Sequence, residues 1–408
     1  MQGERVVMRR VPGAGKLLVL PLVIGSLYAP HAQAQISDTL TPFASAIVSY
    51  DDNLLRRDLS VVGSDGASDT YRSAVVGVGI NRPISRQRLT GNIRATKVTF
   101  NRFGELDYTG KDAALDLDWR LAQTLSGHVG ATYSQSLASF ADFQVAARNL
   151  RVQNKQYGNV AWRLHPSWQL RAGYTSEDFD FDLPSQQFNN RTEKTVETGF
   201  DYLAPSESTV GLLARQIKGK YPTQALNNGV FIDNGFTQDE VKLNVVWNAT
   251  GISQVIFVGG WARREVNSSS LRNASGTNGR LIVNWNKFSS VQLTGMAWRE
   301  FGAAEGVFVN TALSTGQGIN AKWTATSKIE VNAGYRNEKR EFRALPGLIN
   351  ITGLSDTTKV ANVSVSYKPL RNLSLELSAF HTKRDGSTAA RTSSFRAKGA
   401  ALNATVSF

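Results

Sequence analysis

Strict alternation of apolar and polar residues runs through long segments of the chain and continues to its last residue. From Ala113 to Leu121 every second side chain is apolar, and charged or small residues stand between them. The same period recurs in Val241–Trp247, Leu281–Trp285 and Ile329–Tyr335. Because successive side chains of a β-strand point to opposite faces, this pattern predicts strands with one apolar and one polar face. Helical spacing fits none of these windows.

Short turn-forming segments rich in Gly, Pro, Asn and Ser separate the predicted strands in pairs. The predicted turns are Asn81–Pro83, Gln123–Ser126, His165–Ser167, Ala204–Ser208, Ala249–Ile252, Lys287–Ser289, Ala325–Lys328 and Lys368–Asn372. Longer, less regular segments alternate with them, among them 51–69, 138–147, 176–190 and 219–235. Eight short turns and nine long loops would connect eighteen strands, with both ends of the sheet on the short-turn side.

A closed barrel in a membrane fits such strands. Hydrocarbon cannot hydrogen-bond to exposed backbone, so a spanning sheet must close on itself. About 21 residues per strand and connection leave room for the roughly 9–11 residues of a tilted spanning strand. A mean hydropathy of -0.25 is compatible with this, because only one face of each strand meets lipid. The sequence therefore predicts an all-β, transmembrane antiparallel β-barrel of about eighteen strands, with short periplasmic turns and longer extracellular loops.

An aromatic residue stands just before most of the predicted turns, at spacings of 38 to 45 residues. A ring of Trp and Tyr at one height is favoured at a membrane interface, because the ring is apolar and its polar atom stays wet. A similar repeat length also suits a β-propeller, although a blade packs four short strands into that length. A soluble β-sandwich is a further alternative. The predicted girdle is Trp119, Trp162, Tyr202, Trp247, Trp285, Trp323, Tyr367 and the terminal Phe408.

The N-terminal residues have the layout of a secretory signal peptide. Arg9, Arg10 and Lys16 precede the apolar stretch 17–25, and small residues follow up to Ala34. The apolar stretch is too short to span a bilayer. We therefore predict a signal peptide at 1–34 and an outer-membrane β-barrel at 35–408, in the outer membrane of a Gram-negative bacterium.

Enzymatic chemistry finds little support in the sequence. Cysteine is absent, which excludes disulfides and thiolate sites. No phosphate-binding glycine loop or metal-ligand cluster occurs, so we expect no cofactor and no enzyme. The weak catalytic candidates are a His128–Ser134 pair and the adjacent carboxylates of Asp51 and Asp52, which would point opposite ways on one strand. The net charge of +13 comes from scattered cations, so we expect no nucleic-acid partner.

The polar face of the strands would line the lumen. There we expect a surplus of cations, which lowers the barrier to anions. The predicted lumen bases are Arg94, Arg120, Arg163, Arg171, Lys242, Arg280, Lys322, Arg336, Arg396 and Lys398. The predicted opposing acids are Asp116, Asp118, Glu193, Glu197, Asp201, Glu330 and Glu376. Ion pairs that stiffen the wall are the alternative interpretation, and Tyr157 and Trp298 would stack on sugar rings or fill space.

The first predicted strand ends in the run Tyr50-Asp51-Asp52-Asn53-Leu54-Leu55-Arg56. Together with the leader and the barrel pattern, this run resembles the start of the EpsL-type outer-membrane proteins of exosortase-linked exopolysaccharide systems. The resemblance implies biosynthesis or export of an extracellular polysaccharide, with the barrel as its outer-membrane passage. It implies the polysaccharide chain and periplasmic export proteins as partners, beside the lipid of the outer membrane.

Two other functions fit the same barrel, and one motif has two interpretations. A general diffusion porin for small solutes needs only an open lumen, and an assembly or structural barrel needs only a blocked one. On its residues alone, the barrel-mouth motif Tyr50, Asp51, Asp52, Asn53 and Arg56 caps the strand–loop junction. A sugar or cation contact there is the alternative.

Overall fold

The computed structural model describes residues 39–63, 66–227, 230–267, 273–305, 311–342 and 354–408. The predicted signal peptide, 1–34, lies outside this part of the chain. The strands are β1 Leu40–Asp51, β2 Asp69–Ile84, β3 Gln87–Phe100, β4 Tyr108–Leu121, β5 Leu125–Leu137, β6 Leu150–His165, β7 Trp168–Phe181, β8 Arg191–Leu203, β9 Thr209–Lys220, β10 Ala225–Asn227, β11 Val230–Ile232, β12 Phe236–Thr250, β13 Ser253–Val266, β14 Ala274–Phe288, β15 Val291–Ala303, β16 Thr311–Thr324, β17 Ile329–Phe342, β18 Ser355–Leu370, β19 Leu373–Asp385 and β20 Phe395–Ser407.

Short helices occur only within connections of the described chain. The α-helix α1 spans Leu59–Val62, and 3₁₀ turns span Gly104–Leu106 and Pro184–Asn189. Within the described ranges, no helix has the length and apolar content needed to cross a bilayer.

One antiparallel sheet of 18 strands closes into a barrel. Strands adjacent in sequence pair with each other, β9 pairs with β12, and β10 and β11 form a separate two-stranded hairpin. The seam is the pairing of β1 with β20, from Phe43↔Ser407 to Asp51↔Gly399. Closure leaves no sheet edge exposed to hydrocarbon. The structure thus confirms the predicted 18-stranded antiparallel barrel.

Tight connections alternate with longer ones as the sequence predicts, although several strands extend into the predicted connections. β2 runs through the predicted turn Asn81–Pro83 to Ile84, and the chain reverses at Ser85, whose φ is 56°. β14 likewise extends to Phe288 and displaces the predicted turn at Lys287–Ser289 toward Ser290. β7 extends to Phe181, so the first six residues of the predicted loop segment 176–190 are strand. Asp178 and Asp180 face outward while Glu177, Phe179 and Phe181 face inward, so charge there does not mark a loop.

The outward face of the barrel is apolar over its middle. Exposed side chains there include Val76, Val129, Leu212, Leu377 and Leu402. In water such a continuous apolar surface would be unfavourable, and in a bilayer it meets lipid. The barrel is therefore a transmembrane one.

The aromatic residues of the predicted girdle lie on this outward face. They stand within three residues of the short-turn ends of β4, β6, β8, β12, β14, β16 and β18, and Phe408 follows β20. Trp162, Trp247 and Trp323 are each at least half exposed. Trp168 joins the same level and stacks on Phe200 at 5.0 Å between ring centroids. This height matches the interface at which aromatic residues anchor a barrel.

Inside the barrel, apolar side chains gather at the long-loop end beside β1 to β6. A buried cluster contains Leu55, Val98, Phe100, Leu106 and Leu137. Val98 and Phe100 project inward from β3, and Leu55 comes from the connection after β1. This cluster fills one side of the mouth and supports the loops that turn into the lumen.

Candidate functional site

The connection between β5 and β6, residues 138–149, folds into the lumen and reaches the far wall. We call it the Asp142 loop. By the shorter route round the sheet, seven strands lie between β5 and β17, where Arg340 stands. Asp142 Oδ1 accepts hydrogen bonds or ion pairs from Arg340 Nη2 and Arg384 Nη1, both at 2.9 Å. Arg384 Nη1 also donates to the carbonyl of Ala141 at 2.6 Å. The loop therefore crosses the long-loop mouth of the barrel from β5 and β6 to β17 and β19.

A second carboxylate, Asp356, fixes the two guanidinium groups in the wall. Asp356 accepts from Arg340 Nε at 2.9 Å and from Arg384 Nε at 3.1 Å. Asp356 is 1% exposed and Arg384 is 2% exposed. A buried and a partly buried cation, Arg384 and Arg340, thus face two carboxylates, one from the wall and one from the loop. Such charge-assisted pairs hold a loop when both partners are desolvated and fully bonded.

The charge of Asp142 depends on these pairs. Burial raises its pKa, but the ion pairs with Arg340 and Arg384 outweigh burial and lower the pKa from 3.8 to about 2. The carboxylate is therefore ionised at every physiological pH, and the loop stays docked by two full charges.

A second inward contact comes from Glu305, directly after β15. Its Oε1 accepts from Arg151 Nη2 at 3.3 Å and from Arg191 Nη1 at 3.2 Å. Six strands lie between β15 and β6, the strand that carries Arg151. The Arg191 guanidinium lies 3.8 Å from the centroid of the Phe179 ring and bonds Glu193 at 2.9 Å. Glu305 is thus held against the wall that faces Arg340.

The two inward segments enclose a cavity of about 200 Å³ at the long-loop mouth. Its lining includes Asp142, Phe143, Glu305, Arg340, Arg384 and Arg391. Carboxylates and guanidinium groups therefore meet where the two inward segments approach each other across the lumen. We call this the constriction.

Eight of the ten predicted lumen bases lie on the inward face, as the strand register shows. They are Arg94, Arg120, Arg163, Arg171, Lys242, Arg280, Lys322 and Arg336. All seven predicted acids also face inward, namely Asp116, Asp118, Glu193, Glu197, Asp201, Glu330 and Glu376.

Arg396 and Lys398 were placed on the wrong face. They share their face of β20 with Ala400 and Leu402, and Leu402 is 56% exposed on the lipid side. Their inward neighbours are Phe395 and Ala397, both buried. A charge on a barrel strand faces outward where the strand rises above the hydrocarbon, and these two residues lie near the long-loop end.

Ion pairs neutralise much of the inward charge. Arg94 bonds Asp112 at 2.9 Å, Lys242 bonds Glu240 at 2.7 Å, and Arg280 bonds Glu300 at 2.6 Å. Arg171 with Asp201, Lys322 with Glu330 and Arg336 with Glu338 repeat the arrangement. The predicted cation surplus is therefore small once pairing and the two outward residues are considered, and wall stiffening explains most of these charges.

The two aromatic residues predicted to contact sugar rings, Trp298 and Tyr157, are engaged in the wall. Trp298 is 7% exposed and lies between Arg336, 4.8 Å from its ring, and Arg280, 5.9 Å from it. The Tyr157 hydroxyl donates to Asp116 at 2.7 Å. Trp298 fills space, and its ring faces are covered by cations.

The weak catalytic candidates do not assemble. His128 Nδ1 bonds Asp116 at 3.0 Å, whereas the Ser134 hydroxyl donates to Asp112 at 2.7 Å. Six residues along one strand separate the two, or roughly 20 Å. Asp51 faces Arg56, and Asp52 accepts the Lys398 backbone N–H, so these carboxylates do not share a site.

The barrel-mouth motif closes the β1–β20 seam. Arg56 bonds both carboxylate oxygens of Asp51 at 2.8 Å. Asn53 is fully buried: its Nδ2 donates to the carbonyls of Arg57 and Arg396, each at 2.8 Å, and its Oδ1 accepts from Arg57 N at 3.0 Å. Tyr50 lies outward and is 47% exposed. These bonds favour the capping interpretation of the motif.

Sequence reasoning did not identify the residues of the constriction. Arg340 and Arg384 share the inward face of their strands with Arg336 and Glu376, so alternation alone could have placed them there. Asp142 and Glu305 lie in connections, where no alternation of apolar and polar residues indicates which way a side chain points. Their partners are far away in sequence, 198 residues for Asp142 and Arg340.

Comparisons with known proteins match the chain only to solved structures. No protein-family model and no curated sequence matches it. The outer membrane protein opdK from Pseudomonas aeruginosa is similar at 12% identity over 90% of this chain and 99% of that chain, with a TM-score of 0.46. Acinetobacter baumannii OccAB3 is similar at 9% identity over 91% and 100%, with a TM-score of 0.46. Pseudomonas aeruginosa OccK2 (OpdF) is similar at 10% identity over 92% and 100%, with a TM-score of 0.49. At these values the fold rests on the chain's own strand pairing.

Proposed function

We propose that the protein is a passive diffusion channel for small polar solutes in the outer membrane of a Gram-negative bacterium. The constriction carries this proposal: two segments from different walls fold inward, and partly buried ion pairs hold them there. A barrel of this size leaves a water-filled channel, and inward segments narrow it to a sieve. A wide conduit for a polymer would need this passage clear.

The charges at the constriction suggest the kind of solute. Asp142 and Glu305 accept hydrogen bonds from guanidinium groups of the opposite walls, so both signs of charge line the same space. Along the rest of the lumen, cations are largely paired with acids. We infer weak selectivity between small cations and anions and a preference for polar solutes over apolar ones.

Reconstituted protein tests this function directly. In liposome-swelling assays we expect rapid entry of mono- and disaccharides and a steep loss of rate for longer oligosaccharides. In planar bilayers we expect stable conductance with a reversal potential near zero in a salt gradient. A barrel that neither conducts nor passes monosaccharides would overturn the proposal in favour of a structural or assembly role.

Passage of an extracellular polysaccharide is the second candidate. It is supported by the resemblance of Tyr50–Arg56 to the EpsL-type proteins, and periplasmic export proteins would then be partners. Gene deletion separates the two functions. Loss of secreted polysaccharide with unchanged uptake of small solutes would favour export, whereas slower solute uptake with normal polysaccharide would favour the channel.

A further inference from the structure

A block of cations stands on the outward face of the barrel, above the apolar band. Lys359, Lys383 and Arg396 are direct neighbours on β18, β19 and β20. One step closer to the apolar band, His381 is the neighbour of Lys398. We call these five residues the outer cationic patch. Like charges in direct cross-strand register are unfavourable unless an anion lies between them.

The patch is accessible and poorly neutralised. Lys359, Arg396 and Lys398 are exposed, and within the described ranges none of the three forms an ion pair with a carboxylate. Lys383 bonds Asp385 at 2.9 Å. Asp52 lies at the edge of the patch, but its carboxylate accepts the backbone N–H of Lys398 at 2.7 Å. The side-chain ammonium and guanidinium groups therefore remain available as donors.

The opposite wall differs in charge balance at the same height. On β17 to β20 the outward ionised residues at this height are five cations against two acids, namely Lys339, Lys359, Lys383, Arg396 and Lys398 against Glu341 and Asp385. On β7, β8, β9, β12 and β13 they comprise four cations and four acids. They are Lys194, Lys218, Lys220 and Arg263 against Asp178, Asp180, Asp239 and Glu265. Arg263 and Glu265 also pair with each other at 2.5 Å. A general need for charge above the lipid would give both walls the same balance, so the patch requires a separate explanation.

The height of the patch indicates its ligand. The next outward residues toward the short-turn end are Ala379 and Ala400, followed by Leu377 and Leu402, which are 58% and 56% exposed. The patch thus lies where lipid head groups begin. Charges cost little at that depth and can bind phosphate through charge-assisted hydrogen bonds.

We propose that the outer cationic patch binds the phosphate groups of a phosphorylated glycolipid, such as lipid A, in the leaflet at the long-loop end. The orientation of that leaflet rests on the outer-membrane placement under Proposed function. The lipid's acyl chains would lie along Leu377 and Leu402, and its phosphates would lie between the cations of the three strands. A single lipid would then neutralise a row of like charges.

Native mass spectrometry of detergent-purified protein tests this site. The test variant combines Lys359→Gln, Lys383→Gln, Arg396→Gln and Lys398→Gln. The matched control combines Lys194→Gln, Lys218→Gln, Lys220→Gln and Arg263→Gln on the balanced wall. Each protein is titrated with diphosphorylated lipid A, with monophosphorylated and dephosphorylated lipid A, and with inorganic phosphate.

We expect wild-type protein and the control to bind diphosphorylated lipid A, and the test variant to bind it at least about tenfold more weakly. Affinity should fall with each phosphate removed. Equal binding by the test variant, or equal binding of the dephosphorylated lipid, would overturn the proposal. Inorganic phosphate binding as tightly as lipid A would assign the patch to a free anion instead.

Two further measurements separate this proposal from the channel function. Heat-modifiable migration in electrophoresis shows whether each variant is a folded barrel. Conductance of the same variants should equal that of wild type, because none of the substituted residues faces the lumen. Lost lipid binding with unchanged conductance supports the site. If neither the wild type nor the variants conduct, the channel function fails, but the lipid-binding comparison still tests the patch.

Discussion

Releasing the Asp142 loop is the sharpest perturbation of the constriction. Asp142→Asn keeps the size of the side chain but removes the charge that Arg340 and Arg384 bind. The two guanidinium groups keep Asp356, so the wall stays paired and the barrel should fold. The substitution therefore loosens the loop and leaves the sheet intact.

The pKa of Asp142 sets the size of the effect. The docked loop lowers it from 3.8 to about 2, and the side chain is only 17% exposed. At about 1.36 kcal/mol per pKa unit, this difference favours the charged docked state by roughly 2.5 kcal/mol. Removing the charge should weaken docking about 60-fold, so the loop would leave the lumen in a measurable fraction of channels.

The sign of the pH dependence follows from the lowered pKa. A depressed pKa means that the contribution of Asp142 is complete above its ordinary value of 3.8 and is lost as pH falls toward 2. Single-channel recording should show larger or fluctuating conductance for Asp142→Asn at neutral pH. Wild-type channels should approach that behaviour only as the pH falls below about 4, and the variant should lack this acid transition.

Asp239→Asn is the matched control, because Asp239 faces outward and bonds only Gln216 among the described polar contacts of its carboxylate. It should conduct like wild type at every pH. If Asp142→Asn and wild type have the same conductance at neutral pH and the same acid response, then the loop does not form the constriction and the reasoning fails.

Glu305→Gln should raise conductance and single-channel noise for the same reason, since Arg151 and Arg191 lose their shared carboxylate, and wild-type noise would argue against a second inward segment. Asn53→Ala should lower barrel stability by about 2–3 kcal/mol, because three partly buried backbone groups at the seam lose their partner; the heat-modifiable shift in electrophoresis measures this, and an unchanged transition contradicts it. Gly316→Val should destabilise the barrel more than Gly295→Val, because a Cβ at Gly316 would lie 2.3 Å from Trp298 whereas Gly295 has open space; equal melting would refute this packing argument.

The strands and their faces were predictable because each face of a barrel strand meets a different solvent. Trp247 and Lys242 on β12 show this: one meets lipid and the other meets water, and alternation alone separates them. The prediction of the turn at Asn81–Pro83 was wrong because it relied on Pro, although Pro83 extends β2 next to the real reversal. The residue types indicated the region of the β2–β3 turn, but the strand pairing determined the residue at which the chain reverses.

Charge alone was a poor guide to direction. Arg396 and Lys398 were assigned to the lumen because they are basic, although their alternation with Ala400 and Leu402 placed them outside. Because odd and even positions of a strand point to opposite faces, an apolar face that is clear from the sequence also fixes the direction of the charged residues. Near the long-loop end the outward face leaves the hydrocarbon, so polarity no longer distinguishes inside from outside.

The constriction was beyond prediction from periodicity. Asp142 and Glu305 lie in connections, and each binds a wall reached only through the closed sheet. Closure brings these partners together, and no local pattern records it. The pairing depends on how many strands separate the segments round the barrel, which is a property of the whole chain.

The pairing of β1 with β20 has a consequence for biogenesis. These strands are far apart along the polypeptide: the hydrogen-bonded residues Ser45 and Thr405 are separated by 360 positions. Until the late strand arrives, the early one has bare amide groups that a bilayer cannot solvate. During insertion, β1 therefore needs another hydrogen-bonding partner until β20 pairs with it. A mutation in β1 or β20 should delay assembly more than the same change in a hairpin of neighbouring strands.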